Sequence, residues 1–326
     1  MLPEWSDFSQ HILTSENFFE LKDLPSKISI IGVGTIGTEI GQALRRLGIA
    51  VTSFGLNRAV AGLTDPVVQE VAIQILSSEM DLQLDSPARL TTSEGRFHVE
   101  SNGKIVTSDA VFASVGRKPN LSYLGLENTG AKLDQKGVPT YDPTTMQISG
   151  LPIFLAGDVD SDRPLLHEAA DEGRIAGYNC VNEVVHFCRR TPLSIAFTSP
   201  NIALVGATYA QLLQRKPAVG EVRFEGQGRS IIKQENAGIL RVYADPKAGT
   251  LLGAEMIAPE GEHLAHLLAL AIQRKLTVFE LLQMPFYHPV VEEGLRTALK
   301  DLGRQIKNRP SISDIAFCES SAMALS

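Results

Sequence analysis

The stretch KISIIGVGTIGTEIG, Lys27 to Gly41, decides the reading of this chain. Ile28–Ile31 is an apolar run of strand length. Gly32-Val33-Gly34-Thr35-Ile36-Gly37 then fits G-x-G-x-x-G, and Thr35–Leu47 reads as a helix that ends at Gly48, the usual glycine just past a helix. Ile49–Phe54 is the next apolar run. Strand, glycine turn, helix and strand in one unit predict an α/β, Rossmann-type fold that holds a dinucleotide. In that reading Gly32 makes the tight turn, Gly34 lets the backbone approach the pyrophosphate, and Gly37 lets helix and strand pack closely. The helix N-terminus at Thr35, Ile36 and Gly37 carries the anion. The alternative is a Rossmann-like unit that has lost its ligand.

The second strand of such a unit should close on an acidic residue for the ribose 2′-OH. Counted from Gly32, that place falls on Gly55, with Asn57 and Arg58 after it. No carboxylate stands there to repel a 2′-phosphate, so NADP stays open beside NAD. Arg58 reads either as a phosphate contact or as a solvated loop charge.

Composition sets the frame. The chain has 326 residues, 44% of them hydrophobic and 21% charged, which is the balance of an ordinary globular protein. Its formal net charge of −7 argues against nucleic acid or an anionic membrane surface as the main partner. No apolar run approaches the ~20 residues of a membrane span, and Met1–Trp5 lacks the marks of a signal peptide. The expected location is cytoplasmic. The three cysteines, Cys180, Cys188 and Cys318, have neither Cys-x-x-Cys nor Cys-x-x-x-x-Cys spacing. A disulfide framework or zinc site is not expected.

Further along, a helix is predicted after Asp65-Pro66 to about Met80, with Pro at its first turn. Residues 96–107 alternate around Asn102-Gly103, a hairpin signal. Asp109–Val115 and Ile153–Ala156 read as strands, and Pro164–His186 as one long helix. From Thr191 the pattern changes to short strands at 202–205, 221–224, 230–234, 238–243 and 249–257, then helices at about 260–274 and 290–305. Strands followed by packed helices suggest an α+β module. His263 and His266 share a helix face beside Glu262, a spacing open to metal; an interface helix is the preferred reading, and no metal is expected.

Four motifs stand in fixed order: Gly32–Gly37; Ala113-Ser114-Val115-Gly116-Arg117-Lys118-Pro119-Asn120; Ala156-Gly157-Asp158; and His288-Pro289-Val290-Val291-Glu292-Glu293. Together they resemble the pyridine-nucleotide disulfide reductases, dihydrolipoamide dehydrogenase among them, over about Leu13 to Leu302. The resemblance implies that Gly116 lets the chain pass close to NAD and that Glu39 lies near the nicotinamide. It implies that Asp158 accepts a hydrogen bond from the ribityl chain of FAD, with the backbone of Leu165, Leu166 and His167 running under the flavin. It implies that His288 is the general base toward a dithiol, oriented by Glu293 and reaching the other subunit of a homodimer. Pro289 keeps His288 out of the α region and can start the following helix. A carboxylate beside an imidazole fixes its tautomer and stabilises the imidazolium.

The resemblance also implies an organisation. Residues 1–24 are a linker from an absent flavin segment, 25–145 an NAD(P)-binding domain and 146–190 the second segment of an FAD-binding domain. Residues 191–305 are an interface or dimerisation domain, and 306–326 a C-terminal tail. The family's first flavin segment, with its own G-x-G-x-x-G and a C-x-x-x-x-C redox disulfide, has no counterpart in the sequence. If Cys180 and Cys188 share one continuing helix, their Cα atoms lie roughly 12 Å apart, too far for a disulfide, which needs less than about 7 Å.

The leading expectation is therefore a truncated, dihydrolipoyl-dehydrogenase-like oxidoreductase, inactive alone, with NAD, a partial FAD site and a homodimeric state. A chain supplying the missing flavin segment and a 2-oxo-acid dehydrogenase complex are its candidate partners. The alternatives are a non-catalytic NAD(H)-binding and dimerisation module, half of a split flavoprotein, or a flavin-free nicotinamide-dependent reductase.

Overall fold

The computed structural model describes Trp5, residues 11–311 and residues 314–316. Cys318, most of the segment before His11 and most of the tail after residue 311 lie outside the described residues. The chain divides into two compact units, one of residues 1–115 with 191–326 and one of residues 116–190. The expected border at 145/146 does not coincide with this division, because residues 116–145 group with 146–190.

In the first unit, β1 (Ile12–Leu13) lies within the stretch read as a linker. β2 (Lys27–Ile31), α1 (Thr35–Arg46), β3 (Ala50–Phe54), α2 (Pro66–Ser77) and β4 (Asp81–Gln83) follow, then β5 (Arg89–Ser93), β6 (Arg96–Ser101), β7 (Lys104–Ser108) and β8 (Ala110–Ala113). A parallel sheet runs in the order β1-β8-β2-β3-β4. Ile28, Ile30 and Phe112 are fully buried in it, which is why its central strands read as apolar runs rather than alternating ones. Asp65 caps α2 by accepting the Val67 N–H at 2.9 Å, with Pro66 at the first helical position. The hairpin turns at Asn102 and Gly103, both at positive φ, with Ser101 opposite Lys104. β5, β6 and β7 form a separate antiparallel sheet.

The second unit holds one long helix, α3 (Leu166–Val181), and a set of loops joined by isolated bridges. Two expectations change here. Residues 153–156 do not form a ladder strand. They are held by the Gln147–Phe154 bridge and by bonds from Ile148 N to Ile153 O and from Leu155 N to Met146 O, beside a chain reversal in which Met146 takes positive φ. The helix expected to reach His186 ends at Val181. Asn179 folds the following chain back, bonding both the N–H and the carbonyl of Val185, and Asn182 bonds the Tyr178 carbonyl.

The remainder of the first unit is an α+β module. β9 (Leu193–Ala196), β10 (Asn201–Gly206), α4 (Tyr209–Leu212), β11 (Ala218–Arg223), α5 (Gly228–Lys233), β12 (Ile239–Ala244) and β13 (Leu251–Ala258) precede α6 (Gly261–Gln273), α7 (Val278–Leu282) and α8 (Glu293–Gln305). The antiparallel sheet has the order β11-β12-β13-β10-β9. Residues 230–234, expected as a strand, belong to α5 and its end: the Gln227 side chain caps this helix through the Ser230 N–H at 2.7 Å. Leu264, Leu268, Leu295, Leu299 and Leu302 close the core against this sheet. A second core joins Leu63, Val68 and Ala72 of the parallel-sheet half to Ile202, Ile239 and Ile257 of the module.

Candidate active site

The glycine loop is shaped by three different constraints. Gly32, at φ +105°, lies so close to Ser114 that a Cβ would overlap the Ser114 carbonyl, and a Cβ on Gly37 would overlap the Gly32 carbonyl oxygen. Around Gly34, by contrast, a Cβ would meet nothing within 4 Å, and the residue is exposed. Two glycines therefore close the turn onto the sheet and the third leaves an open approach. Gly34 is the N-cap of α1, with no side-chain cap bond, so no capping side chain competes for the first-turn N–H groups of Thr35, Ile36 and Gly37. These residues fit a pyrophosphate: the loop offers donors and room, and α1 contributes the positive end of its dipole.

Gly55 is buried at the end of β3, its N–H bonded to the Gln83 carbonyl. A Cβ there would stand 2.6 Å from Val33 Cγ2 and 2.8 Å from Leu84 Cδ2, so the position is closed as well as uncharged. Arg58 pairs with Glu70 at 2.6 Å and with Asp85 at 3.5 Å.

Glu39 projects from α1 toward the module. Its Oε1 accepts the Phe197 N–H at 2.7 Å, while Gln42 exchanges hydrogen bonds with Ser199 on both sides of that residue's backbone. Arg46 bonds the Ser199 carbonyl and pairs with Glu79 at 2.9 Å. One face of the Rossmann helix thus grips the β9–β10 turn.

In the second unit, Gly116 is exposed at φ +92°, with open space where a Cβ would stand. Asp158 is paired with Arg117, Oδ2 to Nη1, at 3.0 Å. Leu165 is the N-cap of α3 without a side-chain cap bond, and Leu166 and His167 are exposed. These groups, too, have the chemistry of a flavin contact: an accessible carboxylate and free first-turn amides. The sequence reading missed what supports them. Glu172, fully buried, accepts the Gly157 N–H at 2.7 Å. Arg189 bridges Glu172 and Glu168 at 2.6 and 2.7 Å. Burial pushes the Glu172 carboxyl up. Glu168 is likewise buried, yet bonds from Arg189 and Arg163 outweigh that and hold it below its ordinary value. Only the glutamate-rich start of α3 hinted at this cluster. Cys180 lies in the last turn of α3 and Cys188 beyond its end, so the premise of one continuing helix fails. Both are free and exposed.

His288 and Glu293 are brought together. His288 Nδ1 lies 3.0 and 3.2 Å from the two carboxylate oxygens of Glu293, and the Val290 N–H donates to the same group at 3.2 Å. The hydrogen bond with His288 is the main reason the Glu293 carboxyl lies below its ordinary pKa. The imidazole is 82% exposed. Pro289 sits in a turn, and α8 begins only at Glu293, later than expected from residue 290. The Glu293 carboxylate is bonded to the turn ahead of it, and Gln227 holds the Val290 carbonyl at 2.7 Å. Such a pair presents Nε2 outward, with Nδ1 fixed as the hydrogen-bonded nitrogen.

A buried network that the sequence reading also missed ties α2 to the module. Asp65 accepts from Arg241 at 2.6 Å and from the Tyr243 hydroxyl at 2.8 Å, and Glu255 accepts the N–H groups of Thr64, Asp65 and Tyr209. His263 lies near Glu260 and Glu262, and His266 bonds the Glu262 carbonyl. Among the described residues no group of three or more metal-ligating side chains is assembled.

Comparison with known proteins shows the family of the chain. Residues 4–173 match the pyridine nucleotide-disulphide oxidoreductase family, and residues 193–299 match its dimerisation domain. The chain belongs to the pyridine nucleotide-disulphide oxidoreductases, a family of FAD- and NAD(P)-dependent enzymes. It is 28% identical to dihydrolipoyl dehydrogenase 2 of Haloarcula marismortui, over 91% of this chain and 65% of that protein. It is 28% identical to the mercuric reductase of Bacillus cereus, over 90% of this chain and 48% of that one. Among solved structures, LpdA of Mycobacterium tuberculosis superposes with a TM-score of 0.81 at 26% identity, covering 93% of this chain and 67% of that one. The flavoprotein disulfide reductase RclA of Escherichia coli has a TM-score of 0.80 at 22% identity, over 90% and 69% of the two chains, and shares the fold. The chain thus spans about half to two thirds of the length of these relatives. Among the described residues no helix is long and apolar enough to cross a membrane.

Proposed function

We propose that this chain supplies the nicotinamide-binding, second flavin-binding and subunit-interface parts of a dihydrolipoyl-dehydrogenase-like oxidoreductase. The observation that carries this reading is the His288–Glu293 pair, an accessible imidazole oriented by a carboxylate. In this reading His288 Nε2 takes a proton from a dithiol, and Glu293 holds the resulting imidazolium in place. Gly32, Gly34 and Gly37, with the first-turn amides of Thr35 and Ile36, hold the pyrophosphate of NAD(H). The family resemblance assigns Glu39 and Gly116 to the same ligand. Asp158 and the backbone of Leu165–His167 hold part of FAD, which when bound relays two electrons between sulfur and nicotinamide. The dimerisation-domain match supports a homodimer in which the histidine serves the partner's site.

Two measurements on the purified chain test the reading. NADH fluorescence should rise and saturate on titration with protein, and visible flavin absorbance should accompany the protein through purification. Reconstituted with a flavin segment that carries the redox disulfide as electron acceptor, His288→Gln should slow oxidation of a dithiol while leaving the flavin spectrum in place. A chain that binds neither nicotinamide nor flavin overturns the proposal. The ion pair of Asp158 with Arg117 favours a second reading, a module that binds NAD(H) and dimerises without turnover. Nicotinamide binding in colourless protein is the outcome that selects it.

A further inference from the structure

The carboxyl edge of the parallel sheet carries charge in an unusual arrangement. β2, β3 and β4 run parallel, so the Gly32 loop, the Gly55–Arg58 loop and the Leu84–Asp85 turn all leave the sheet at that edge. A dinucleotide binds outside this edge. Position 55, where a ribose carboxylate would stand, is closed by Val33 and Leu84. Carboxylates arrive instead from two other elements. Asp85 follows β4, and Glu70 comes from α2. Both meet Arg58, Glu70 at Nη2 and Asp85 at Nη1, so the two terminal nitrogens of the guanidinium are each turned to a carboxylate. Asn57 turns its Oδ1 to the Ala59 N–H at 2.9 Å. One cation among two anions leaves this corner net negative.

We propose that Glu70 and Asp85 determine the choice of dinucleotide: they hold Arg58 away from a ribose 2′-phosphate and supply the negative charge that position 55 lacks, so the site takes NAD in preference to NADP. The inference rests on the dinucleotide reading of the glycine loop and adds the residues that discriminate between its two ligands. A 2′-phosphate adds nearly two negative charges. It would face two carboxylates, and the cation suited to bind it is already engaged by both. All three side chains are about half exposed, so the discrimination is electrostatic and should weaken with salt.

The test is a fluorescence titration of the full chain with NADH and with NADPH. The unaltered chain should bind NADH more tightly, with a narrower margin at high ionic strength. Glu70→Gln with Asp85→Asn should raise the NADPH-to-NADH affinity ratio about tenfold, because removing two like charges also frees the guanidinium. Arg58→Ala added to that pair should abolish the gain. Equal melting temperatures of the variants certify that the fold is intact. A ratio that does not move in the double variant overturns the proposal while the dinucleotide site stands. Failure of the unaltered chain to bind either dinucleotide overturns both.

Discussion

The Glu39 carboxylate accepts the Phe197 backbone N–H at 2.7 Å, joining the Rossmann helix to the β9–β10 turn. The residue assigned by resemblance to the nicotinamide thus also positions one half of the first unit on the other. Glu39→Ala should lower stability by about 1 kcal/mol, the usual net value of such a bond. Glu39→Gln, which keeps an acceptor oxygen, should lose less. Urea denaturation of the two variants measures the difference. If Glu39→Ala proved as stable as the unaltered chain, the contact would carry no weight.

The glycines of the loop should separate cleanly into structural and ligand-facing positions. Gly37→Ala forces a Cβ onto the Gly32 carbonyl and should lower the melting temperature. Gly34→Ala meets open space, so the fold should persist. Its methyl group occupies the approach expected for the pyrophosphate, and Kd for NADH should rise on the order of tenfold, about 1.4 kcal/mol. Calorimetry alongside NADH titration distinguishes the two effects. Loss of the fold in the Gly34 variant would contradict the assignment.

Asp65 should be the most sensitive buried polar position of the first unit. It is fully buried, caps α2 and takes hydrogen bonds from Arg241 and Tyr243. Asp65→Ala removes the α2 cap and the acceptor of both Arg241 and Tyr243, leaving Arg241 with Glu221 at 3.4 Å as its remaining carboxylate partner, and should destabilise by about 3 kcal/mol. Tyr243→Phe removes one bond and should cost about 1 kcal/mol. Burial, with the charges of Glu255 and Asp65 added, pushes the Tyr243 phenol far above its ordinary value. In an alkaline absorbance titration this tyrosine should ionise only as the unit unfolds.

The His288–Glu293 pair should leave an acid-side signature. The folded-state pKa of Glu293 is lowered, first by its bond with His288. A depressed carboxylate contributes stability above its ordinary value of 4.5 and loses that contribution as pH falls through the folded value. Glu293→Gln should therefore narrow its stability deficit as the pH drops below 4.5. Melting temperatures of both proteins across that range measure it, and a constant deficit would exclude ionisation as the source.

Much of this could be read in advance wherever backbone preferences alone control the outcome. The G-x-G-x-x-G turn, the Asp65-Pro66 helix start and the Asn102-Gly103 hairpin each follow from such preferences within a few residues. The His288–Glu293 contact spans five residues and was equally accessible. Where a polar side chain competed with the apolar pattern for the backbone, the reading failed. Asn179 ended α3 early by bonding Val185, and the Gln227 cap made a helix of residues expected as a strand.

From the sequence alone came the dinucleotide loop, because steric rules for glycine and proline act through neighbouring atoms, and the order of four motifs, which carried the resemblance to a known family. Tertiary structure alone decided what lies across from each motif. It set Glu39 against Phe197, Arg58 between Glu70 and Asp85, Glu172 behind the Gly157–Asp158 turn, and Asp65 under Arg241. Those partners are 12 to 176 positions apart, and only packing of the sheets and helices brings such charges within bonding distance.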